Sequence, residues 1–351
     1  MKTILITGGS GFLGSHACVS LLESNYKLIV IDSNINSNSS SLKKVINIGK
    51  LNDLNFEENL SFVKGDIRDQ SLLDKLFSDS IKNSLPIDGV IHFAGLKSVE
   101  DSVTNPYYYW DNNVGGTLNL LKSMIKFNCR TIVFSSSATI YGTNTNGLIK
   151  EDSELNPINP YGKTKFTIEN ILVDLFKSDP NKWRIANLRY FNPIGAHNSG
   201  LIGEEPVNLP NNLFPYICKV AERSLPKLHI FGNNWPTKDG TCIRDFIHVM
   251  DLADAHKLSL NYLFENNPQI QNFNIGTGQG TSVLELIFAF QKFNNIEIPY
   301  VFSKRRNGDV SEVVADNEKA LRLLRWKPIR SLEDMCKDGW YWKKMNPNGY
   351  E

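Results

Sequence analysis

Organised cysteine, an excess of charge of either sign and any long apolar run are all missing from this chain. The five cysteines among its 351 residues, Cys18, Cys129, Cys218, Cys242 and Cys336, are scattered without a Cys-x-x-Cys pair. Such spacing offers neither a zinc site nor a disulfide framework, and no metal is expected. Lys and Arg total 38 against 37 Asp and Glu, a formal net charge of +1. Composition therefore supplies no basic face for nucleic acid or an anionic membrane surface, and any positive site must be local. The opening Met1-Lys2-Thr3-Ile4-Leu5-Ile6-Thr7 turns at glycine too early for a signal peptide or a membrane span. A cytoplasmic protein is the expectation. No internal repeat is present, and the length suits one large domain with a smaller one beside it.

What is present begins at once. Residues 2–7 are β-branched and apolar, and they stop at Gly8-Gly9-Ser10-Gly11-Phe12-Leu13-Gly14, after which residues 15–23 have a helical pattern. Glycines at this spacing let backbone approach a pyrophosphate at a helix N-terminus. A second buried strand over 28–31 ends at Asp32, a carboxylate placed to accept both hydroxyls of an adenosine ribose. Ser33 and Asn34 follow where a 2′-phosphate site would have arginine, so NAD is predicted over NADP. The Asn/Ser-rich stretch 34–41 predicts a loop over the adenosine end.

Four further strands are predicted, over 60–64, 89–93, 130–134 and 184–189. After the first of these comes Asp66, which either accepts from an adenine amino group or caps the helix that starts near Ser71. After the next come Ala94-Gly95-Leu96-Lys97, small residues that let a cofactor pass and a lysine that reaches ribose or phosphate, or else lies in solvent. Ser135-Ser136-Ser137 crowd the following strand end. Tyr161 and Lys165 then fall one turn apart on one face of a helix, with Asn159 as its predicted cap and Pro160 in its first turn. An ammonium fixed beside a phenol favours the phenolate and turns an acid into a base.

Six strands alternating with helices predict an α/β fold, a doubly wound parallel sheet of Rossmann type with ligands beyond the carboxyl ends of its strands. Past Tyr190 the density of Gly, Pro and Asn predicts a smaller, irregular C-terminal substrate domain. Its elements are helices over 213–221 and 284–293 and strands over 228–231 and 300–302. Residues 244–256 have the pattern of a strand and helix returning to the main domain. The expected division is 1–190 plus about 234–262 for NAD, and 191–233 plus about 263–351 for substrate.

A set of motifs adds a resemblance: the glycine loop from Thr7 to His16, Gly65-Asp66-Ile67-Arg68, His92-Phe93-Ala94-Gly95-Leu96-Lys97, Phe134-Ser135-Ser136-Ser137-Ala138-Thr139, Tyr161-Gly162-Lys163-Thr164-Lys165, Leu188-Arg189-Tyr190-Phe191-Asn192-Pro193, Pro210-Asn211-Asn212-Leu213 and Arg244-Asp245-Phe246-Ile247-His248-Val249-Met250-Asp251-Leu252. Over nearly its whole length the chain resembles the UDP-glucose (UDP-galactose) 4-epimerases of the extended short-chain dehydrogenase/reductase superfamily. The resemblance implies a tightly held NAD and a homodimer packed through helices near 106–127 and 160–178. It implies NAD contacts from Gly8, Gly11, Phe12, Leu13, Gly14, Asp32, Asn36, Ser37, Asp66, Ile67, Phe93, Ala94, Gly95, Lys97, Asn112, Ser135, Tyr161, Lys165 and Tyr190.

By the same resemblance Tyr161 is the base for the sugar 4-hydroxyl, Lys165 holds the nicotinamide ribose and lowers the tyrosine pKa, and Ser137 bonds the reacting oxygen. The UDP-sugar would meet Lys97, Ser137, Tyr161, Phe191, Asn192, Asn211, Asn212, Leu213, His229, Phe231, Arg244, Phe246, Arg306, Asp309 and Val313. Its pyrophosphate suits the forked donors of the arginines, which can otherwise serve in surface ion pairs, Arg305 more so than Arg306. Two rivals are weighed. A sugar-nucleotide 4,6-dehydratase needs an Asp-Glu pair after the serine, and here Ala138 and Thr139 stand there; a non-catalytic NAD sensor of the same fold has no need of Tyr161, Lys165 and Ser137 together. Lastly, the family position beside the hexose C2 substituent falls on Val313, where epimerases restricted to plain hexoses carry tyrosine. A small residue implies that N-acetylated UDP-sugars are also accepted, unless Val313 only packs in a strand over 311–315 with a neighbour such as Phe246 filling the space.

Overall fold

Side chains alternate across a strand, and in Thr3–Thr7 (β1) the alternation sends Ile4 and Ile6 into one buried layer and Leu5 into the other. Both faces are covered, which is why such a strand is an unbroken apolar run in the sequence. A computed structural model describes residues 1–143, 147–206, 212–306 and 308–350. With Lys27–Asp32 (β2), Leu60–Lys64 (β3), Ile87–His92 (β4), Thr131–Ser135 (β5), Arg184–Tyr190 (β6) and Gln269–Ile275 (β7), β1 forms a parallel sheet in the order β7-β6-β5-β4-β1-β2-β3. Helices Phe12–Leu22 and Val249–Glu265 cover one face, while Gln70–Lys82, Gly116–Lys126 and Pro160–Ser178 cover the other. This is the doubly wound Rossmann-type fold.

Two details depart from expectation. The sheet has a seventh strand: β7 lies in the stretch allotted to the smaller domain, yet it pairs with β6 in register from Gln269↔Arg184 to Ile275↔Tyr190. Its sequence, QIQNFNI, is half polar because it closes the sheet edge and buries only its last three residues, so no apolar run marked it. The single helix expected near 106–127 is also interrupted. Pro106–Tyr109 passes through a π-helical turn, Trp110–Gly115, into Gly116–Lys126. That wider turn buries Asn112 and Asn113, and such turns recur at functional sites.

The smaller domain has its own core, in which Phe214, Ile217, Ile230, Phe246, Phe290 and Trp340 pack together. Two short pairings connect it to the sheet. Asn192–Ile194 runs parallel to Phe246–His248, and Ile243–Arg244 lies between Thr281–Ser282 and Glu312–Val313. Buried Asp245 ties these together by accepting from Thr277 N and Oγ1 (both 2.7 Å), Gly278 N (3.0 Å) and Ala315 N (3.2 Å). No described helix is long and apolar enough to cross a membrane, no described cluster of ligands suits a metal, and all five cysteines are free and buried.

Candidate active site

The order of strands reverses between β1 and β4, and the loops at their carboxyl ends frame a crevice, the usual ligand position in an open parallel sheet. Gly8 adopts a φ of +71°, and a Cβ on Gly14 would lie 2.3 Å from the Gly8 carbonyl oxygen. Both positions demand glycine. A Cβ on Gly11 would meet only that oxygen, at 3.4 Å, so this part of the loop stays open. Phe12 and Leu13 start the following helix. Asp32, buried at the end of β2, accepts from Ser10 N (3.0 Å), Asn34 N (2.9 Å) and Ser37 Oγ (2.8 Å). Asn36 beside it is exposed.

Asp66 does not cap the next helix; Asp69 does, accepting from Leu72 N at 3.0 Å. Instead Arg68 forks onto the Asp66 carboxylate, with contacts of 3.1 Å from Nε and 2.7 Å from Nη2, and this bonding holds the Asp66 pKa below its ordinary value. Ile67 packs under Gly116. After β4, Phe93 packs on His256 with the rings tilted and their centroids 4.6 Å apart, and the small residues Ala94 and Gly95 follow. Asn113 was missed in the sequence. Its amide bonds both the N–H and the carbonyl of Leu96 (2.7 and 3.1 Å) and the Thr164 hydroxyl (3.1 Å), so it joins this loop to the helix that carries Tyr161. Only the π-helical turn puts it there. Asn112 is buried next to it. Lys97 is exposed but not alone: its Nζ lies 2.8 Å from Glu204 of the smaller domain.

Asn159 caps Pro160–Ser178 through Gly162 N at 2.8 Å, and the cap sets the start of the helix that holds Tyr161 and Lys165. Both are buried. Lys165 Nζ donates to the Ser135 carbonyl at 2.8 Å and lies 5.9 Å from the centroid of the Tyr161 ring. Ser137 Oγ accepts from Thr139 N (3.2 Å) and Thr139 Oγ1 (3.0 Å). With both lone pairs so engaged, its own proton is left to donate outward. The Ser135 hydroxyl, at the same strand end, is buried without a partner.

The electrostatics correct one expectation. Burial lifts the Tyr161 phenol well above its ordinary range, with Tyr190 adding to the rise and Ser137 opposing it. Burial likewise draws Lys165 down to about 7, against Glu169, which pushes it up. In the protein's own field burial outweighs any lowering by Lys165, and the net shift of the Tyr161 phenol is upward.

On the other side of the crevice, Phe191 is buried beside Ile140 and Tyr141, and Asn192 starts the short strand beside Phe246. His229 and Phe231 point outward from Leu228–Phe231 while Leu228 and Ile230 point in. Asp309 bridges two cations, at 3.0 Å from Arg306 Nε and 3.9 Å from Arg244 Nη2. Arg306 also covers the Phe231 ring at 4.7 Å. Arg305 instead stacks on Trp235 at 3.8 Å and bonds Asn234. Asn212 and Leu213 open a helix at the same rim, and Asn212 spends no side-chain bond on capping it. Asn211 lies outside the described residues. Val313 pairs in register with Arg244 and packs on the cluster that holds Phe191.

Comparison with known proteins places this arrangement. A family model described as GDP-mannose 4,6 dehydratase matches residues 5–339. UDP-glucose 4-epimerase of Bacillus subtilis (strain 168) is 47% identical over 99% of this chain and 98% of its own. UDP-glucose 4-epimerase 2 of Arabidopsis thaliana is 46% identical over 99% and 97%. The chain belongs to the UDP-glucose 4-epimerases. A solved epimerase from Bifidobacterium longum, in complex with NAD+ and UDP, superposes with a TM-score of 0.92 at 42% identity, covering 99% of this chain and 100% of that one. Although the matching family model is described by a dehydratase, in this epimerase Ala138 and Thr139 open a short 3-10 turn after Ser137, so the acid and base pair of a dehydratase has no place there.

The depressed Lys165 gives a prediction for the protein freed of nucleotide. Between pH 7 and the 10.5 of an ordinary lysine, the unfolded chain binds more protons at this residue than the folded one. Its contribution to stability therefore rises with pH. Denaturant titrations of wild type and Lys165→Met should show the difference moving in favour of wild type from pH 7 to pH 9; a constant difference contradicts the shift.

Proposed function

We propose that the chain interconverts UDP-glucose and UDP-galactose at C4 through a transient 4-keto sugar, with Tyr161, Lys165 and Ser137 as the reacting centre. The observation that carries this reading is the meeting of those three, on a capped helix and a strand end, with the glycine loop and Asp32 on one side and the Arg244, Asp309 and Arg306 group on the other. The cofactor is NAD. Its fit is supported by the narrow, open-faced glycine loop, by a ribose-facing carboxylate in Asp32 and by the unpartnered Ser135 hydroxyl. NAD, when bound, supplies a hydride acceptor and, in its oxidised form, a positive charge that favours the Tyr161 phenolate.

The chain's own residues do the rest. Tyr161 takes the proton from the sugar 4-hydroxyl and returns it, its pKa brought within range only when positive charge joins it in the pocket. Ser137, its lone pairs held by Thr139, donates to the reacting oxygen. Lys165, anchored on the Ser135 carbonyl, is positioned for the nicotinamide ribose. Arg244 and Arg306 take the pyrophosphate, with Asp309 keeping their forks apart and aimed. Phe231, His229, Asn212 and Leu213 line the nucleoside end. A sugar anchored at UDP and loosely held at the hexose can then present either face of the 4-keto carbon.

We infer a homodimer packed through the helices near 106–127 and 160–178, the first of which leaves Tyr107 82% and Ile125 44% exposed. Sedimentation equilibrium at the mass of one chain would sink it.

Val313 is small and only partly buried where it packs on the cluster of Ile140, Tyr141 and Phe191, and its size is the support for a wider substrate range. Val313→Tyr should then lower the catalytic efficiency for UDP-N-acetylgalactosamine relative to UDP-galactose by roughly tenfold or more. Negligible wild-type turnover of the acetylated sugar, or an unchanged ratio, rules this gate out. For the reaction itself, purified protein should convert UDP-galactose to UDP-glucose without added NAD. Tyr161→Phe should reduce that rate by roughly 10²- to 10⁴-fold while the bound NAD remains; a mutant that keeps most of the rate removes Tyr161 as the base.

A further inference from the structure

Between Ser135, on which Lys165 leans, and Ser137, which faces Tyr161, lies Ser136, fully buried. Its hydroxyl donates to Glu169 Oε1 at 2.5 Å. Glu169 sits one helical turn beyond Lys165 and is 4% exposed. Arg189, inside the sheet on β6, clamps its carboxylate with Nε at 3.1 and 3.2 Å and Nη2 at 2.7 Å. The rest of that guanidinium bonds Tyr141 Oη (3.0 Å) and the Glu151 carbonyl (2.8 Å), and Tyr141 donates to Asn274 on β7 at 2.6 Å. A buried ion pair is poor grounds for stability, since an apolar pair of like volume often does as well or better. This pair therefore calls for another role.

We propose that Glu169 is a positioning residue of the reaction: clamped by Arg189, its carboxylate ties down Ser136, and so sets the Ser135 carbonyl and the Ser137 hydroxyl where Lys165 and Tyr161 need them, and it places a negative charge one helical turn from the Lys165 amine. The kinetic half of this rests on the epimerase reading above. Lys165 is faced by Tyr161 and Glu169 from its own helix, His92 from β4 and His256 from the helix Val249–Glu265. Burial holds the two histidines neutral, at about 3 and about 4, so neither titrates near neutral pH. Among these groups Glu169 is the one carboxylate, and it acts to raise a lysine that burial lowers.

Two variants separate the parts. Ser136→Ala cuts the tie and leaves the ion pair whole; Glu169→Gln keeps an acceptor for Ser136 and removes the charge. In Ser136→Ala, kcat for UDP-galactose should fall roughly 10- to 100-fold with KM little changed, the mark of lost alignment rather than lost binding. In Glu169→Gln, carbon NMR of labelled lysine Cε, with Lys165 assigned through Lys165→Met, should show its titration midpoint below the wild-type value. A wild-type kcat in Ser136→Ala overturns the proposal, as does an unmoved midpoint in Glu169→Gln. The Ser136→Ala arm stands even where Glu169→Gln fails to fold. Because the NMR needs no substrate, a protein that turns over no UDP-galactose removes the epimerase reading and leaves the coupling of Glu169 to Lys165 to be decided by the midpoint.

Discussion

Thr7 ends β1, and its carbonyl oxygen accepts from both Phe93 N (3.0 Å) and Ala94 N (3.1 Å), while the next residue, Gly8, sends its N–H the other way, to the Ile31 carbonyl at 2.8 Å. The chain divides its bonding between two neighbours at the point where strand order reverses. The glycine loop and the loop after β4 take their positions from this division. The Thr7 hydroxyl lies 2.6 Å from His92 Nδ1, whose other nitrogen lies 2.8 Å from the Thr117 hydroxyl, so helix Gly116–Lys126 is held to the same point. A Cβ on Gly8 would lie 2.6 Å from Ala94 N, within backbone that cannot give way. The glycine is needed for the close approach of β1 and β4 as well as for any phosphate.

Water exclusion sets the electrical character of the site. The residues with which it works are a phenol pushed up, an ammonium pushed down and histidines held neutral, all by burial first and by neighbours second. Such a pocket holds little charge of its own and responds strongly to charge brought in. By contrast the diphosphate end keeps two arginines around one carboxylate, with Arg306 half exposed and free to meet an anion without a large desolvation cost.

Much of this was legible in the residues. Strands β1 to β6 were found because buried parallel strands are continuous apolar runs and the active-site residues stand where those runs stop. The start of the helix Pro160–Ser178 was found because Asn159 and Pro160 mark it. What stayed hidden was whatever depends on position in three dimensions. β7 is polar because it is an edge, Asn113 acts only because a π-helical turn rotates it inward, and Glu204 meets Lys97 across more than a hundred residues of chain. The sign of the Tyr161 shift was misread for a related reason: a spacing of four residues reports a neighbour, whereas burial is a property of the whole fold.

The late arrival of β7 has a consequence for how the chain is made. Until residues 191–268 have left the ribosome, β6 is the outermost strand of a nearly finished sheet and presents an unpaired ladder of backbone donors and acceptors. The strand-bearing first part of the nascent chain must wait with that edge open while the rest is synthesised. Joining β6 to β7 is the long-range closure that is slowest to form and most exposed to mispairing with another chain. Truncation between Asn266 and Gln269 would keep the helix Val249–Glu265 and the active-site residues up to Tyr190 but leave the sheet that carries them unsealed.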